Sequence, residues 1–557
     1  MKRPLALLST LLIASPLLAQ VAGGSSEALY QWHGSLDSEA HGYAVSGGGD
    51  VNGDGIPDLI SSATGTSAGA LPDAGSVYVY SGADGSLIHQ WNGTQINEQF
   101  GKSIADAGDV NGDGFADVLV GAPNHSPNGL LDAGSVFLFS GADGSQLYRW
   151  DGLAYLEKLG ISVSRAGDIN GDGYSDVIFG APGTAAGGLS ASGTAFVYSG
   201  IDGSLLYRFD GSLDSASLGV SVSHAGDVNN DGRDDVIVGA SGDFFARGKV
   251  FVFSGMDGST LYQWKGDLIA HRFGKQVSDA GDVNLDGFAD LLVSSRKAEA
   301  DTVTDAGTVR VYSGINGSIL GEWSGTLPTA FFGESIDGAG DVDGDSYPDL
   351  LIGVSGDPFY DVRLYSGLNG SLLHTWSGES AVSSVGQSVS TAGDVDLDGF
   401  PDIIFGDRGA DFGGINSSGT TSVVNFHAFM RADIASVSTS AGGALNLNLE
   451  FPDAAGLQDY MVLMSTQGTG PIFYGVEIPL TLDGFLINSS NGIYPFAITS
   501  NLHGTLDPIG DATASITFPA GAFQVATGRT FWLAAVAFPT GQRPAFSSVA
   551  VPVVFTP

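Results

Sequence analysis

The chain of 557 residues contains no cysteine. Disulfides, zinc–thiolate sites and cysteine nucleophiles are therefore excluded, and stability has to come from core packing and oxygen-ligated metal. Basic residues are scarce, with 21 Lys and Arg against 61 Asp and Glu and a formal charge of −40. That sign repels phosphate backbones and argues against a nucleic-acid partner. No stretch repeats as a long amphipathic helix. Catalytic motifs are missing too: there is no G-x-S-x-G, H-E-x-x-H or phosphate loop. The nine His are scattered, and His33, His41, His89 and His125 share no ligand spacing. The chain does not read as an enzyme. Beyond residue 22 no apolar run reaches the ~20 residues that a helical membrane span needs.

Residues 1–22 are built differently. Lys2 and Arg3 precede an apolar run over 5–18, with small residues for cleavage after Ala19 or Ala22. This reads as a secretory signal, so the protein is expected to be exported, secreted or cell-surface, and monomeric.

What the sequence has in abundance is one nine-residue pattern, plainest as Asp109-Val-Asn111-Gly-Asp113-Gly114-Phe115-Ala-Asp117. It occurs seven times, at spacings of 53 to 59 residues. Positions 1, 3, 5, 7 and 9 of the first copy are Asp50, Asn52, Asp54, Ile56 and Asp58, and those of the second Asp109, Asn111, Asp113, Phe115 and Asp117. The third has Asp168, Asn170, Asp172, Tyr174 and Asp176, and the fourth Asp227, Asn229, Asp231, Arg233 and Asp235. Asp282, Asn284, Asp286, Phe288 and Asp290 follow, then Asp341, Asp343, Asp345, Tyr347 and Asp349, and finally Asp394, Asp396, Asp398, Phe400 and Asp402.

Hard oxygen donors at alternate positions, with the backbone carbonyl of position 7 as one more, suit Ca²⁺. Gly at position 6 permits the left-handed backbone of the tight turn, and only the sixth copy departs, with Ser346. A helical calcium hand would need Glu at position 12. Here positions 10 onward read Val-Leu-Val-Gly-Ala-Pro, a strand, so position 9 is expected to close the site. Up to seven Ca²⁺ ions follow. The pattern uses 23 of the carboxylates, and seven divalent ions would bring the charge from −40 to −26.

Each period holds four strand signals. In the second these are the stretch from Gly101, the run from Asp117, the run from Gly134, and the one from Ser145 to Trp150 after an Asp143-Gly144 turn. Four short antiparallel strands per repeat make a β-propeller blade. Residues 29–32 are a fourth strand with nothing before it, and the last period stops after its third strand at 421–426. Seven blades close only if the N-terminal strand completes the seventh. The expected fold is all-β: a seven-bladed propeller over 27–429, closed by that strand, and a small β-sandwich-like module over 431–557. Strand candidates in the module are 445–451, 459–464, 513–518 and 530–537.

The chain resembles the FG-GAP repeat family, the seven-bladed propeller of integrin α-subunits and of many secreted bacterial proteins. The residues that carry the likeness are Phe100-Gly101, Phe273-Gly274 and Phe332-Gly333, with Gly121-Ala122-Pro123 and Gly180-Ala181-Pro182. Other copies drift, as in Leu159-Gly160 and Gly239-Ala240-Ser241. The resemblance implies a calcium-stabilised propeller used for adhesion or recognition. In integrins only some blades carry metal, whereas all seven here have the loop.

A Trp recurs at the end of the fourth strand as Trp32, Trp91, Trp150, Trp264, Trp323 and Trp376, with Phe209 in its place once. The fixed position points to packing between blades rather than to carbohydrate stacking. The repeat Tyr-Ser-Gly-Ala-Asp-Gly-Ser-Leu also resembles that of quinone-dependent dehydrogenase propellers, which lack the calcium pattern in every blade. A recognition or adhesion propeller is the first reading, with a purely structural surface or matrix protein as the alternative. A hydrolase or quinone enzyme stands third.

In such blades the metal loop and the Asp-Gly turn share one face. The other face carries connections that differ from period to period, such as 124–132, 242–247, 296–305 and 357–360. Tyr155, Phe244, Phe245, Phe331, Phe359 and Tyr360 lie there. A protein or glycan ligand is expected on that face, although the same aromatics could instead fold over the central channel.

Overall fold

The computed structural model describes residues 24–428, apart from 301–302, 357–359 and 379–381, and separate stretches up to residue 556. The signal segment at 1–22 and Phe359 lie outside the described residues, as does the side chain of Phe244.

Seven four-stranded antiparallel sheets form a ring. The second blade is representative: Ser103–Gly108, Asp117–Ala122, Ser135–Phe139 and Gln146–Asp151 pair in chain order. The first strands of neighbouring blades meet around a central channel, and the contact from Ser388–Gly393 to His41–Gly47 closes the circle. In the last blade Ala28–His33 pairs antiparallel with Thr420–Val424, Trp32 opposite Thr421. The N-terminal strand thus supplies the missing fourth strand and leaves no open edge between the last blade and the first.

Burial explains the strand sequences. The second strand of every blade is buried along its whole length, as in Asp117–Ala122 and Asp290–Ser295, because a neighbouring blade covers each face. Such strands read as continuous apolar runs rather than as an alternation. Fourth strands such as Gln146–Asp151 line the rim and mix exposed with half-buried positions. The core lies between blades. In one cluster Ile60, Val77 and Val79 of the first blade pack against Ile104, Val118 and Val120 of the second.

The recurrent glycines follow from the same packing. A Cβ on Gly121 would collide with the carbonyl oxygen of Gly160 in the next blade, and one on Gly180 with that of Gly219. Ser103 Oγ donates to the Gly160 oxygen at 2.9 Å, and Ser162 Oγ does the same to Gly219.

The tryptophans clamp neighbouring blades. Trp91 Nε1 donates to the Gly144 oxygen at 2.9 Å and Trp264 Nε1 to that of Gly317 at 3.0 Å, each in the hairpin turn of the following blade. Trp264 also stacks on Tyr312, centroids 4.4 Å apart. At the closure, where a turn is missing, Trp376 donates to Ser26 Oγ.

Helix is almost absent among the described residues: one turn at Asp243–Ala246 and two 3-10 turns. None is long and apolar enough to cross a membrane. Beyond residue 430, Gly443–Glu450 and Asp511–Phe518 pair in one four-stranded sheet, and Asp459–Ser465 and Thr530–Phe538 in a six-stranded one.

Candidate metal centres

Each nine-residue pattern forms the connection from the first to the second strand of its blade, so all seven lie on one face. The position-1 carboxylate is wrapped by the loop's own backbone. Asp50 accepts from the N–H groups of Gly53, Asp54 and Gly55, and Asp109 and Asp168 repeat the arrangement. Asp227 and Asp282 keep two of the three bonds, and Asp341 and Asp394 accept from position 6. In six copies position 3 accepts from the N–H of position 5, and in all seven position 5 accepts from that of position 7, as Asn52 does from Asp54 and Asp54 from Ile56. The donors are thus oriented by the turn itself. At positions 7, where a backbone carbonyl is the expected ligand, Phe115 and Tyr174 lay their rings over Gly53 and Gly112 of the preceding blade, and Arg233 lies over Gly171.

The Asp at position 9 has a second task. Asp117 Oδ2 accepts from Val110 N–H at 3.1 Å, and Oδ1 from Gly141 N–H, the first glycine of the hairpin turn, at 3.0 Å. The same bond ties Asp58 to Gly82, Asp176 to Gly200, Asp235 to Gly255, Asp290 to Gly314 and Asp349 to Gly367. One carboxylate therefore binds the metal loop to the turn beside it. Burial, opposed by these N–H bonds and reinforced by neighbouring carboxylates, pushes Asp117, Asp235, Asp290 and Asp402 up to about 7 and Asp58 and Asp176 to about 6. Asp349 and Asp343 rise well above the ordinary carboxylate range for the same reasons.

Crowding is greatest in the last two loops. One oxygen from each of Asp341, Asp343 and Asp349 lies within 4.8 Å of the others, as do those of Asp394, Asp396 and Asp402. Asp345 Oδ2 and Asp394 Oδ1 are buried with no hydrogen-bond partner. Clustered carboxylates with orphaned oxygens, free of nitrogen or sulfur ligands, fit a hard divalent cation. The first five loops carry Asn at position 3, which lowers their charge by one.

Backbone conformation marks a residue that the pattern alone does not. Position 6 is left-handed in every copy, from φ 85° at Gly232 to 94° at Gly399, and Ser346 is held there at 75°. Position 4 is left-handed as well, occupied by Gly53, Gly112, Gly171 and Gly344 but also by Asn230, Leu285 and Leu397. Side-chain identity varies there, so the requirement is invisible to a motif.

The loops are linked around the ring. The position-8 side chain packs over the glycine preceding the loop of the neighbouring blade: Ala116 over Gly49, Ser175 over Gly108, Pro401 over Gly340, and Pro57 over Gly393.

The opposite face is irregular and apolar. Each blade-to-blade connection exposes an aliphatic side chain, among them Leu36, Ile96, Leu153 and Leu268. Tyr155 and Phe245 are exposed. Phe331 lies under Arg296, whose Cζ is 4.6 Å from the ring centroid, and Tyr360 is half-buried.

Known proteins match the propeller. The FG-GAP repeat family covers residues 103–139, 160–198 and 218–253, and the FG-GAP-like repeat covers 50–120. Integrin alpha-V of Gallus gallus is 30% identical over 226 residues, 37% of this chain and 21% of that protein. Integrin alpha-PS3 of Drosophila melanogaster is 31% identical over 223 residues, 37% of this chain and 19% of its own. The chain thus spans about a fifth of the length of these curated relatives. Among solved structures, the Dos1 propeller aligns with a TM-score of 0.38 and 12% identity, over 67% of this chain and 75% of that one.

Proposed function

We propose that this chain, which carries FG-GAP repeats and is homologous to integrin α-subunits, is an exported calcium-stabilised propeller that acts as a recognition or adhesion module. The observation that carries this reading is the division between the two faces. Seven acidic loops share the bond from the position-6 N–H to the position-1 carboxylate on one side, whereas the other side varies in sequence and presents exposed apolar residues such as Ile96, Leu153, Tyr155 and Phe245. Variable loops on a rigid ring suit recognition, and exposed apolar groups, present in every blade-to-blade connection of this face though also at Met256 and Leu397 on the metal face, suit a macromolecular partner. Ca²⁺ takes the seven Asp-rich loops and acts at a distance, by fixing loops that pack against those of the neighbouring blades. The ligand, a protein or a glycan, docks on the irregular face.

A glycan and protein array probed with the full chain, with and without Ca²⁺, supplies the ligand. Alanine at Tyr155 and Phe245 is then expected to abolish binding with the melting temperature unchanged. Undiminished binding in those variants, with loss from alanine at Asp84 and Asp143 in the hairpin turns, would place the site on the metal face. The absence of any calcium-dependent ligand would favour a purely structural role.

A further inference from the structure

The central channel opens on the irregular face through a ring made by one residue from the start of each first strand. Tyr43, Lys102, Lys275, Glu334 and Gln387 stand in this ring, with aliphatic residues in the third and fourth blades. The channel cavity has a volume of about 430 Å³ and also takes in Arg408. A second cavity of about 430 Å³, lined by Asp73, Gln99 and Ser384, meets it at Tyr43 and Arg408.

Three cations converge where the cavities join. Lys102 Nζ donates to the Tyr43 hydroxyl and lies 4.3 Å from the ring centroid, and Arg408 Cζ lies 5.0 Å from the same centroid. Lys275 faces them from the channel wall. Among the described residues no carboxylate lies within 4.0 Å of any of the three. Of the carboxylates nearby, Asp73 lines the second cavity with Arg408, and the others bond elsewhere. Glu334 pairs with Arg296 and accepts from Ser355 Oγ. Deeper in the channel, Asp337 accepts from Ser278 Oγ, Ser390 Oγ and Thr391 N–H, and Asp106 pairs with Arg165. In a chain with only 21 basic residues, a cluster of cations inside a cavity without a direct ion pair is the opposite of what the average charge dictates.

We propose that this channel mouth is an oxyanion site, in which Lys102, Lys275 and Arg408 take a carboxylate, sulfate or phosphate group of the ligand beside Tyr43. The proposal rests on the reading that ligands approach the irregular face, and it names their chemistry. Low-dielectric walls focus the field of the cluster, so it outweighs the distant acidic surface. The guanidinium supplies a planar fork that matches two anionic oxygens, and the ammonium groups supply point charges around it. Burial, then Arg408 and Lys275, push the Lys102 ammonium down to about 8, and burial lowers Lys275 as well, against the attraction of Glu334. A bound anion offsets both the desolvation cost and the mutual repulsion.

Isothermal titration calorimetry of the full, calcium-loaded chain with sodium succinate, sodium sulfate and neutral succinamide tests this. Succinate or sulfate is expected to bind and succinamide not, with the affinity falling at least about ten-fold in Lys102→Gln/Lys275→Gln. That variant is expected to melt no lower than the parent, because it relieves repulsion. Succinate alone would identify a carboxylate ligand, sulfate alone a sulfate or phosphate ester, and both outcomes support the site. Failure of both anions to bind, or equal binding in the variant, overturns it. Because the probes are small ions, anion binding without any array ligand would refute only the docking reading, and the reverse only the oxyanion site.

Discussion

The two faces of the propeller use the same strands to opposite ends. On the metal face the loops share a common set of bonds: position 1 accepts from the position-6 N–H in all seven, and position 9 bridges to the hairpin turn in the first six blades. On the opposite face the connections change in composition, the second-to-third loop shortens at 241–248 and 355–360, and side chains such as Leu153 and Phe245 are exposed. Uniformity marks a region whose task is identical in each blade, namely holding the ring. Variation in the exposed side chains marks positions that the ring does not constrain and that can therefore be shaped by what they meet.

Breaking the ring itself tests that contrast most severely. Deleting residues 27–33 removes the strand opposite Thr420–Val424 and bares a sheet edge. Aggregation or swapped dimers in size-exclusion chromatography, with a fall of many degrees in melting temperature, are expected; a monomer with unchanged melting would contradict the closure. Next in size comes the blade clamp. Trp264→Ala loses the Tyr312 stack and the bond to Gly317, a cost of about 3 kcal/mol for truncating a large aromatic. Tyr155→Ala, on the irregular face, should stay within about 0.5 kcal/mol in the same denaturation series. Equal losses would erase the distinction between scaffold and recognition surface.

Acid gives a smaller and graded effect. Burial depresses His41, at the junction of the last and first blades, and His374 to about 4. His41 is held neutral between the Tyr80 hydroxyl and Thr421 Oγ1. The unfolded chain binds these protons at the ordinary 6.5, so the stability they contribute is present above that pH and is lost as pH falls from about 6.5 to about 4. His41→Gln should flatten this part of the stability–pH curve, and an unchanged slope would show that His41 does not contribute. The smallest expected change is a gain. Leu397 holds a left-handed conformation at φ 61°, so Leu397→Gly relieves about 1 kcal/mol, measured by denaturant midpoint in saturating Ca²⁺.

Much of the scaffold was legible because it repeats. Seven copies of the Asp pattern in register located the blades, and the unpaired strand signal at 29–32 implied the closure seen between Ala28–His33 and Thr420–Val424. The recurrent Trp implied a packing role, although not its hydrogen bond to the next blade's turn. What escaped depends on backbone or on distance. The left-handed position 4 is filled by Gly, Asn or Leu, so residue identity hides it. The bridge from Asp117 ends on a backbone N–H 24 residues away, which no side-chain pattern records. Lys102, Lys275 and Arg408 lie in three different blades, and only ring geometry brings them to one mouth.

The central claim is that cations on one face hold the whole ring. It is tested most directly by calorimetric melting of the full chain in excess chelator, in Ca²⁺ and in Mg²⁺. Extracellular calcium sites bind at roughly 10⁻⁴–10⁻³ M, and at ten times the Kd each contributes about 1.4 kcal/mol, or about 10 kcal/mol for seven. For a propeller of this size that corresponds to a melting temperature about 10 °C lower in chelator. Ca²⁺ is expected to restore it, and Mg²⁺ only poorly, because Mg²⁺ requires a smaller octahedral site. A melting curve that does not move in excess chelator would contradict the account.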